Sequence, residues 1–481
     1  MQAVGSQMGM VGFKGAVRRG VTALSFALVV ILPRPAFAET LADALIGAYQ
    51  HSGLLEQNRA LLRAADEEVA SAQATLEPVL RWAGGLTQNF GSLRSSGIPT
   101  AQSTESLTAS INLIAELLIY DFGASQYRVE TAKETVLATR QTLIDIEQRV
   151  LLRAVAAYMG VIEASDVVEL RNKNLQFLVE ELRATRYRLE VGEVTNTDVA
   201  LAQAQLAQAR SNLAAAEGEL LRAVEEYRTA IGRKPVNLSP PPSLPNIEAS
   251  LETAKALAVR RHPSVLAAQH QVAAARLAVS ANEAAMAPRV TLKGNYGLTE
   301  TFNSNSYTRS GNVGVEANQT IYQGGALSSA VRRAMAQHDS QRANLHVVSK
   351  NVVQDVGNAY AGLRSARAQL EASERQIQAA RTAFEGVREE ARLGARTTLD
   401  VLNAEQALLD AESTRVAARA NLYVAAYFVL SATGRLTAKD LGLPMQTYDA
   451  AAYYNLVKDS PAKLSKQGQA LDRVLRSLQR N

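Results

Sequence analysis

Seven landmarks recur at one offset: Tyr120 with Tyr322, Gly123 with Gly325, Tyr158 with Tyr360, Gly160 with Gly362, Gly192 with Gly394, Asp198 with Asp400, and Gly232-Arg233 with Gly434-Arg435 each stand 202 residues apart, as 322 minus 120 shows. An internal repeat decides more about a fold than any single motif. From residue 120 to residue 233 neither copy has gained or lost a residue, as long helices held in register require. Upstream, Leu41/Leu251, Ala44/Ala254, Ala64-Ala65/Ala274-Ala275, Val69/Val279 and Pro78/Pro288 repeat at 210 instead. The length change therefore falls between Pro78 and Tyr120, where a loop tolerates it.

Each copy reads as helix, two strands, very long helix, break, helix. Between Ala124 and Val191 there is no proline, and Gly160 is the only glycine. Val129, Val136, Leu143 and Val150 form a seven-residue ladder continued by Ala157 and Ala164; a second ladder, Val161, Val168, Leu175, Leu182 and Leu189, follows after a four-residue shift. This is coiled-coil periodicity with a stutter. At about 1.5 Å per residue such a helix is a rod of about 100 Å. Gly192 and Gly394 stand where a helix C-terminus favours glycine, and Thr195 and Thr397 precede the resumption of helical patterning. Each break therefore predicts an antiparallel helical hairpin. The opening helix, Leu41 to Glu77, and the returning helix, Asn196 to Ile231, together match the rod's length, so end-to-end stacking along it is expected.

After Pro78 and Pro288 the period changes to two. Leu107, Ala109, Ile111, Leu113, Ala115, Leu117 and Ile119 alternate with Thr108, Ser110, Asn112, Ile114, Glu116, Leu118 and Tyr120; Val313, Val315, Ala317 and Ile321 alternate with Asn312, Glu316, Asn318 and Thr320. The partner strands carry Leu80, Trp82, Leu86 and Phe90, and Val290, Leu292, Tyr296 and Leu298. Strands of about 9 to 14 residues with this alternation suit a tilted barrel with lipid outside and water inside. Periodicity alone also allows a half-buried sheet on the chain's own helices. Four strands are too few for a membrane barrel, and an open edge in hydrocarbon is not viable. Several copies must then share one barrel.

The first 38 residues read as a signal peptide: Lys14, Arg18 and Arg19, an apolar run from Val21 to Leu32, and Ala36-Phe37-Ala38 before Glu39. The run is too short for an anchoring helix. The expected organisation is signal peptide 1–38, first repeat 39–232, proline-rich connector 233–247 (Pro235, Pro240, Pro241, Pro242, Pro245), second repeat 248–435, and C-terminal segment 436–481. From Leu436 the pattern loosens, and the basic end (Lys463, Lys466, Arg473, Arg476, Arg480) is expected to be mobile. The chain has no cysteine, which excludes disulfides, thiolate metal sites, a cysteine nucleophile and an acylated terminus. A net charge of +5, dispersed along helices, gives no reason to expect a nucleic-acid partner. His51, His262, His270, His338 and His346 show no metal-ligand spacing, and no catalytic constellation or phosphate-cradling loop stands out. No catalytic residue, metal or cofactor is assigned.

The duplicated plan, Tyr120-Asp121-Phe122-Gly123 and Tyr322-Gln323-Gly324-Gly325 at the strand-to-helix junctions, the His262-Pro263 step, and the turn motifs Val191 to Val199 and Leu393 to Ala404 together resemble the TolC family of outer-membrane efflux and type I secretion ducts. The resemblance implies a mainly α protein with membrane β: a trimeric, 12-stranded β-barrel, four strands per chain, continuous with a long α-helical periplasmic barrel. It implies a passive exit duct in the outer membrane, working with a periplasmic adaptor protein and an inner-membrane pump. By position, Asp400 matches the first carboxylate of the entrance constriction and Asn403 stands where the family prototype has a second. Thr197, Asp198 and Arg396 match the latch at the periplasmic tip, and Ala391 replaces the tyrosine expected there. Without the resemblance, Asp198 and Asp400 read as helix caps and Arg396 as an exposed helix-end residue. A soluble periplasmic coiled-coil adaptor is the alternative function, although two hairpins, each preceded by a lipid-patterned strand pair, argue against it.

Overall fold

The computed structural model describes residues 38–478 except 95, 98, 99, 101 and 303–305. The leader expected over residues 1–38 lies, apart from Ala38, outside the described residues. The first repeat comprises α1 (Leu41–His51), α2 (Gly53–Ala74), β1 (Val79–Leu93), β2 (Gln102–Tyr120), α3 (Ala124–Glu190) and α4 (Asn196–Ile231). The second comprises α5 (Leu251–Arg261), α6 (Pro263–Ala284), β3 (Arg289–Thr301), β4 (Ser306–Asn318), α7 (Ala326–Arg392) and α8 (Thr398–Ala432); α9 (Ala450–Val457) and α10 (Lys466–Leu478) follow. No described helix is long and apolar enough to cross a membrane.

α3 is the axis of the chain. Its first part packs against α2 and α6, with Ser264 Oγ donating to Asp145 at 3.2 Å and the His270 ring 2.7 Å from Glu134. Its second part packs against α4 and α8: Arg153 forks onto Glu226, and Leu178 and Leu182 bury against Ala202, Leu206 and Leu402. The two shorter helices thus stack along the rod. They meet where the α4 C-terminus reaches α1. There Gly232 takes φ 87°, and a Cβ at that position would lie 2.6 Å from His51 Cβ. In the second copy Gly434, at φ 74°, lies against His262 and Pro263. The repeated tyrosines also acquire a reason. Tyr158 donates to the Glu39 and Ser239 carbonyls at 3.0 and 2.7 Å, and Tyr360 to the Glu248 carbonyl at 2.6 Å, so each fixes the chain entering its repeat. Arg233 completes the first seam by bonding Glu39 at 2.6 Å. Around this level lies the largest core, including Leu41, Leu45, Leu151, Tyr158, Tyr227, Ile231 and Leu436. Burying each of the large apolar side chains contributes about 1.5–3 kcal/mol.

Three expectations change. The opening helix is not continuous: Ser52 ends α1 and caps α2, its Oγ accepting the Leu55 N–H at 3.3 Å. The break is the counterpart of His262-Pro263 and lets α1 turn to meet Gly232. The strands of the first repeat are longer, at 15 and 19 residues, because the serine- and threonine-rich ends also pair, as Thr87 does with Thr108 and Ser92 with Ser103. Those of the second, at 13 each, fall within the expected length, and β4 ends at Asn318, before the Thr320 and Ile321 expected in it. The C-terminal segment is not loose. Tyr453 donates to Glu67 at 2.6 Å, Arg59 lies between the Tyr49 and Tyr448 rings, and Arg140 stacks on Tyr454, which together hold the segment along α2 and α3.

Candidate functional site

The four strands form one antiparallel sheet in the order β1-β2-β3-β4, with β2 and β3 joining the two repeats. Register carries the alternation across every strand. Trp82 pairs with Leu113 and Leu113 with Tyr296; Leu80, Ala115 and Gly294 pair in turn, as do Gly84, Ile111 and Leu298. Val313 and Val315 continue the same face beside Gly294 and Leu292. The result is one apolar surface, and it is uncovered: Trp82 is 75% exposed, Phe90 77% and Val313 80%. The reading in which this sheet packs on the chain's own helices is excluded. From Leu80 to Phe90 the face extends about 33 Å along the strand, or about 25 Å at barrel tilt, the height of a membrane band. The opposite face carries Ser110, Asn112, Asn295, Asn312 and a Lys293–Glu316 ion pair of 2.6 Å. The outer edges of β1 and β4 have no strand partner among the described residues.

At the far ends of the long helices lie two turns of nearly identical construction. Gly192 (φ 80°) donates to the Leu189 carbonyl at 3.0 Å and Glu193 to Arg188 at 2.8 Å; Gly394 (φ 79°) donates to Ala391 at 3.0 Å and Ala395 to Glu390 at 2.9 Å. The positive φ is what reserves both positions for glycine. Each next helix then opens on a capping box. Asp198 accepts the Thr195 N–H at 2.8 Å and hydroxyl at 2.7 Å, and Asp400 accepts those of Thr397 at 3.0 and 2.8 Å. These bonds from backbone and hydroxyl hold both carboxyls below their ordinary pKa, so both stay ionised.

Asp400 and Asn403 lie one turn apart on the same face of α8, opposite the buried Val401 and Leu402. Thr197 is exposed in the first turn of α4. Arg396 donates through Nε to Glu390 at 2.8 Å, within its own turn, and its charge also depresses the Asp400 carboxyl. Within one chain the Arg396 bond is to Glu390 and the Asp198 bonds are to Thr195. The sequence reading missed a buried polar contact above the tip, where Asn174 on α3 donates to Glu405 on α8, whose carboxyl is pushed up by burial. An asparagine and a glutamate at core positions of two helical ladders are the signal that could have marked it. Among the described residues no cluster of three or more histidine or acidic side chains could hold a metal.

The model of the outer membrane efflux protein family matches residues 47–233 and 255–435, the two repeats. The chain is 34% identical over 449 residues to the outer membrane efflux protein BepC of Brucella suis, covering 93% of this chain and 96% of that protein. It is 26% identical to the outer membrane protein TolC of Escherichia coli, covering 83% of this chain and 84% of the other. The solved structure of the outer-membrane channel OprN superposes with a TM-score of 0.70 at 23% identity, covering 82% and 89% of the two chains.

Proposed function

Because the chain belongs to the outer membrane efflux protein family, we propose that it is the outer-membrane exit duct of an export system, passing small molecules, type I secreted proteins or both. The observation that supports this most is the open sheet, whose single apolar face, and whose two edges without a strand partner among the described residues, suit it to hydrocarbon and to strands of other chains. Three copies of a four-stranded sheet make a twelve-stranded barrel, above the minimum of about eight that closes in a membrane. The helical hairpins of three chains then form a tunnel in the periplasm. As in the family it resembles, we assign the driving force to an inner-membrane pump and the link to a periplasmic adaptor protein. The adaptor reading of this chain gives way to the family match.

At the tip, three copies of Asp400 form a carboxylate ring at the entrance, with Asn403 one turn further in. Three charges instead of six make repulsion and cation attraction weaker than a double ring would give. Thr197, Asp198 and Arg396 form the latch, Arg396 exchanging Glu390 for the Asp198 carboxylate and Thr197 hydroxyl of an adjoining hairpin. Planar-bilayer recording tests both levels. The processed protein should run as a heat-modifiable trimer in unboiled gels and give discrete conductance steps. Arg396→Ser combined with Asp198→Ala should raise single-channel conductance; unchanged steps would remove both residues from the closure. A chain that stays monomeric in detergent-free buffer would remove the duct itself.

A further inference from the structure

The C-terminal segment climbs α2 toward the sheet. Tyr448 lies on Arg59 and Tyr453 donates to Glu67, two turns further along α2, and Val457, one turn beyond Tyr453, joins the apolar cluster that includes Ala70. The segment then reverses. Ser460 takes φ 48° and donates to the Val457 carbonyl at 2.8 Å, Pro461 follows, and Ser465 donates to Ala462 at 2.8 Å before α10 begins. α10 returns to the same cluster, where Leu471 is buried beside Ala70, Tyr453 and Val457. Residues 458–466 therefore lie on the sheet side of Ala70. Ala70 itself precedes Leu80, the first residue of the apolar band, by about 20 Å of chain at most.

What this reversal presents is specific. Leu464 is 89% exposed. It is flanked by the exposed Lys463 and Lys466, with Lys458 at the start of the turn and Arg473 and Arg476 on the outer face of α10. The apolar face of α10 (Leu471, Leu475) is already used against α2 and α9. Five cations stand against two carboxylates, Asp459 and Asp472, over residues 458–476, and none of the five is ion-paired among the described residues. Elsewhere the helical cations are repeatedly paired, as Lys173 is with Glu169 and Arg149 with Asp145.

Resting on the barrel reading above, we propose that the α9–α10 reversal is a peripheral membrane contact. Lys463, Lys466 and the α10 arginines meet the phosphates of anionic phospholipid in the leaflet facing the periplasm, and Leu464 enters between the headgroups. An exposed leucine between lysines, beside a bilayer, has the two components of interfacial binding: apolar insertion and charge attraction. Each lysine near an anionic surface is worth about fivefold in partitioning.

The chain has no cysteine, so single-site labelling of the full processed protein is direct. An environment-sensitive fluorophore on Leu464→Cys is read in phosphatidylcholine liposomes with and without phosphatidylglycerol. A second variant, Val313→Cys, reports the barrel face. Expected is a Leu464 probe quenched by headgroup-depth spin-labelled lipid only when phosphatidylglycerol is present, with Lys463→Gln/Lys466→Gln weakening the quenching at least fivefold and high salt abolishing it. A Leu464 probe fully open to aqueous iodide in both liposomes, while the Val313 probe is lipid-quenched, overturns the proposal and leaves the barrel standing. A Val313 probe in water overturns the barrel, and the membrane contact with it.

Discussion

α3 and α7 are one helix written twice, 67 residues each, yet 20 residues of α3 are buried and only 7 of α7. The contrast comes from neighbours. Among the described residues α3 is enclosed by α1, α2, α4, α6 and α8, whereas α7 packs mainly against α5, α6 and α8. One copy lies inside the chain and the other at its border. In the proposed trimer, the contacts between repeats are a template for contacts between chains: as α3 meets α6 and β2 meets β3, so α7 meets α2 of the next chain and β4 meets its β1. The template can be read to the residue. Asp145 and Ser264 touch inside the chain; their counterparts at offsets of 202 and 210 are Val347 and Leu54. Both are apolar and uncovered, 53% and 44% exposed.

The largest expected effect follows from that pair. Oxidising the double variant Leu54→Cys/Val347→Cys should convert the protein to covalent trimers in non-reducing gels, and Val347→Asp should leave helicity intact by circular dichroism while abolishing the unboiled trimer band. Val155→Asp, inside the largest core on α3, should instead prevent folding, since an unpaired buried charge costs several kcal/mol. Monomeric gels from the cysteine pair under oxidation would break the template.

Next in size come the repeated glycines at the seams. Gly232→Ala and Gly434→Ala each put a Cβ on a left-handed residue, at φ 87° and 74°, and should each cost about 2 kcal/mol in denaturant titrations. The partners differ. Gly232 faces the His51 side chain, whereas Gly434 faces the His262 Cα and the Arg261 carbonyl. A His51→Gly background should therefore recover part of the first loss, while no side-chain deletion can relieve the contact with the His262 backbone.

The repeats also differ in one buried charge. Asp66 is 0% exposed, accepts no hydrogen bond and has Arg140 4.0 Å away; burial pushes its carboxyl up to about 6. Its counterpart at offset 210 is Arg276. Native Asp66 keeps a proton between pH 4 and 6 that the unfolded chain has released. Stability should thus fall as pH rises through that window, by about 1–3 kcal/mol, and be flat above it. Asp66→Asn should remove the slope in melting curves at pH 4.5 and 7.5; an unchanged slope would assign it to another group.

Much of this architecture was legible because it is periodic. Seven-residue ladders, period-two strands and constant offsets are local properties of the sequence, and the sheet register followed them strand by strand. The break at Ser52 was legible in principle, since Ser52-Gly53 aligns with His262-Pro263, but it lacks the proline that announces the second. The C-terminal attachment was not legible: Tyr448, Tyr453 and Tyr454 follow no ladder, and their partners Arg59, Glu67 and Arg140 are more than 300 positions away. At the tip, the capping boxes could be read from Thr-x-x-Asp. The latch residues came only through the family resemblance, because their proposed partners belong to different hairpins and no local pattern joins them.

The smallest effect is the most discriminating, because the two tip carboxylates are built alike. Asp198 and Asp400 each cap a helix through the same bonds to a threonine three residues before. As caps they should be equivalent, each alanine variant losing about 0.5–2 kcal/mol. As pore residues they should not be. Asp400 lies on α8 of the second repeat, which we assign to the entrance ring, and Asp198 on α4. Asp400→Ala should weaken block by multivalent cations about tenfold in planar bilayers, whereas Asp198→Ala, which leaves the ring's charges in place, should weaken it far less. Equal block in both variants would reduce Asp400 to its capping role and move the constriction elsewhere along α8.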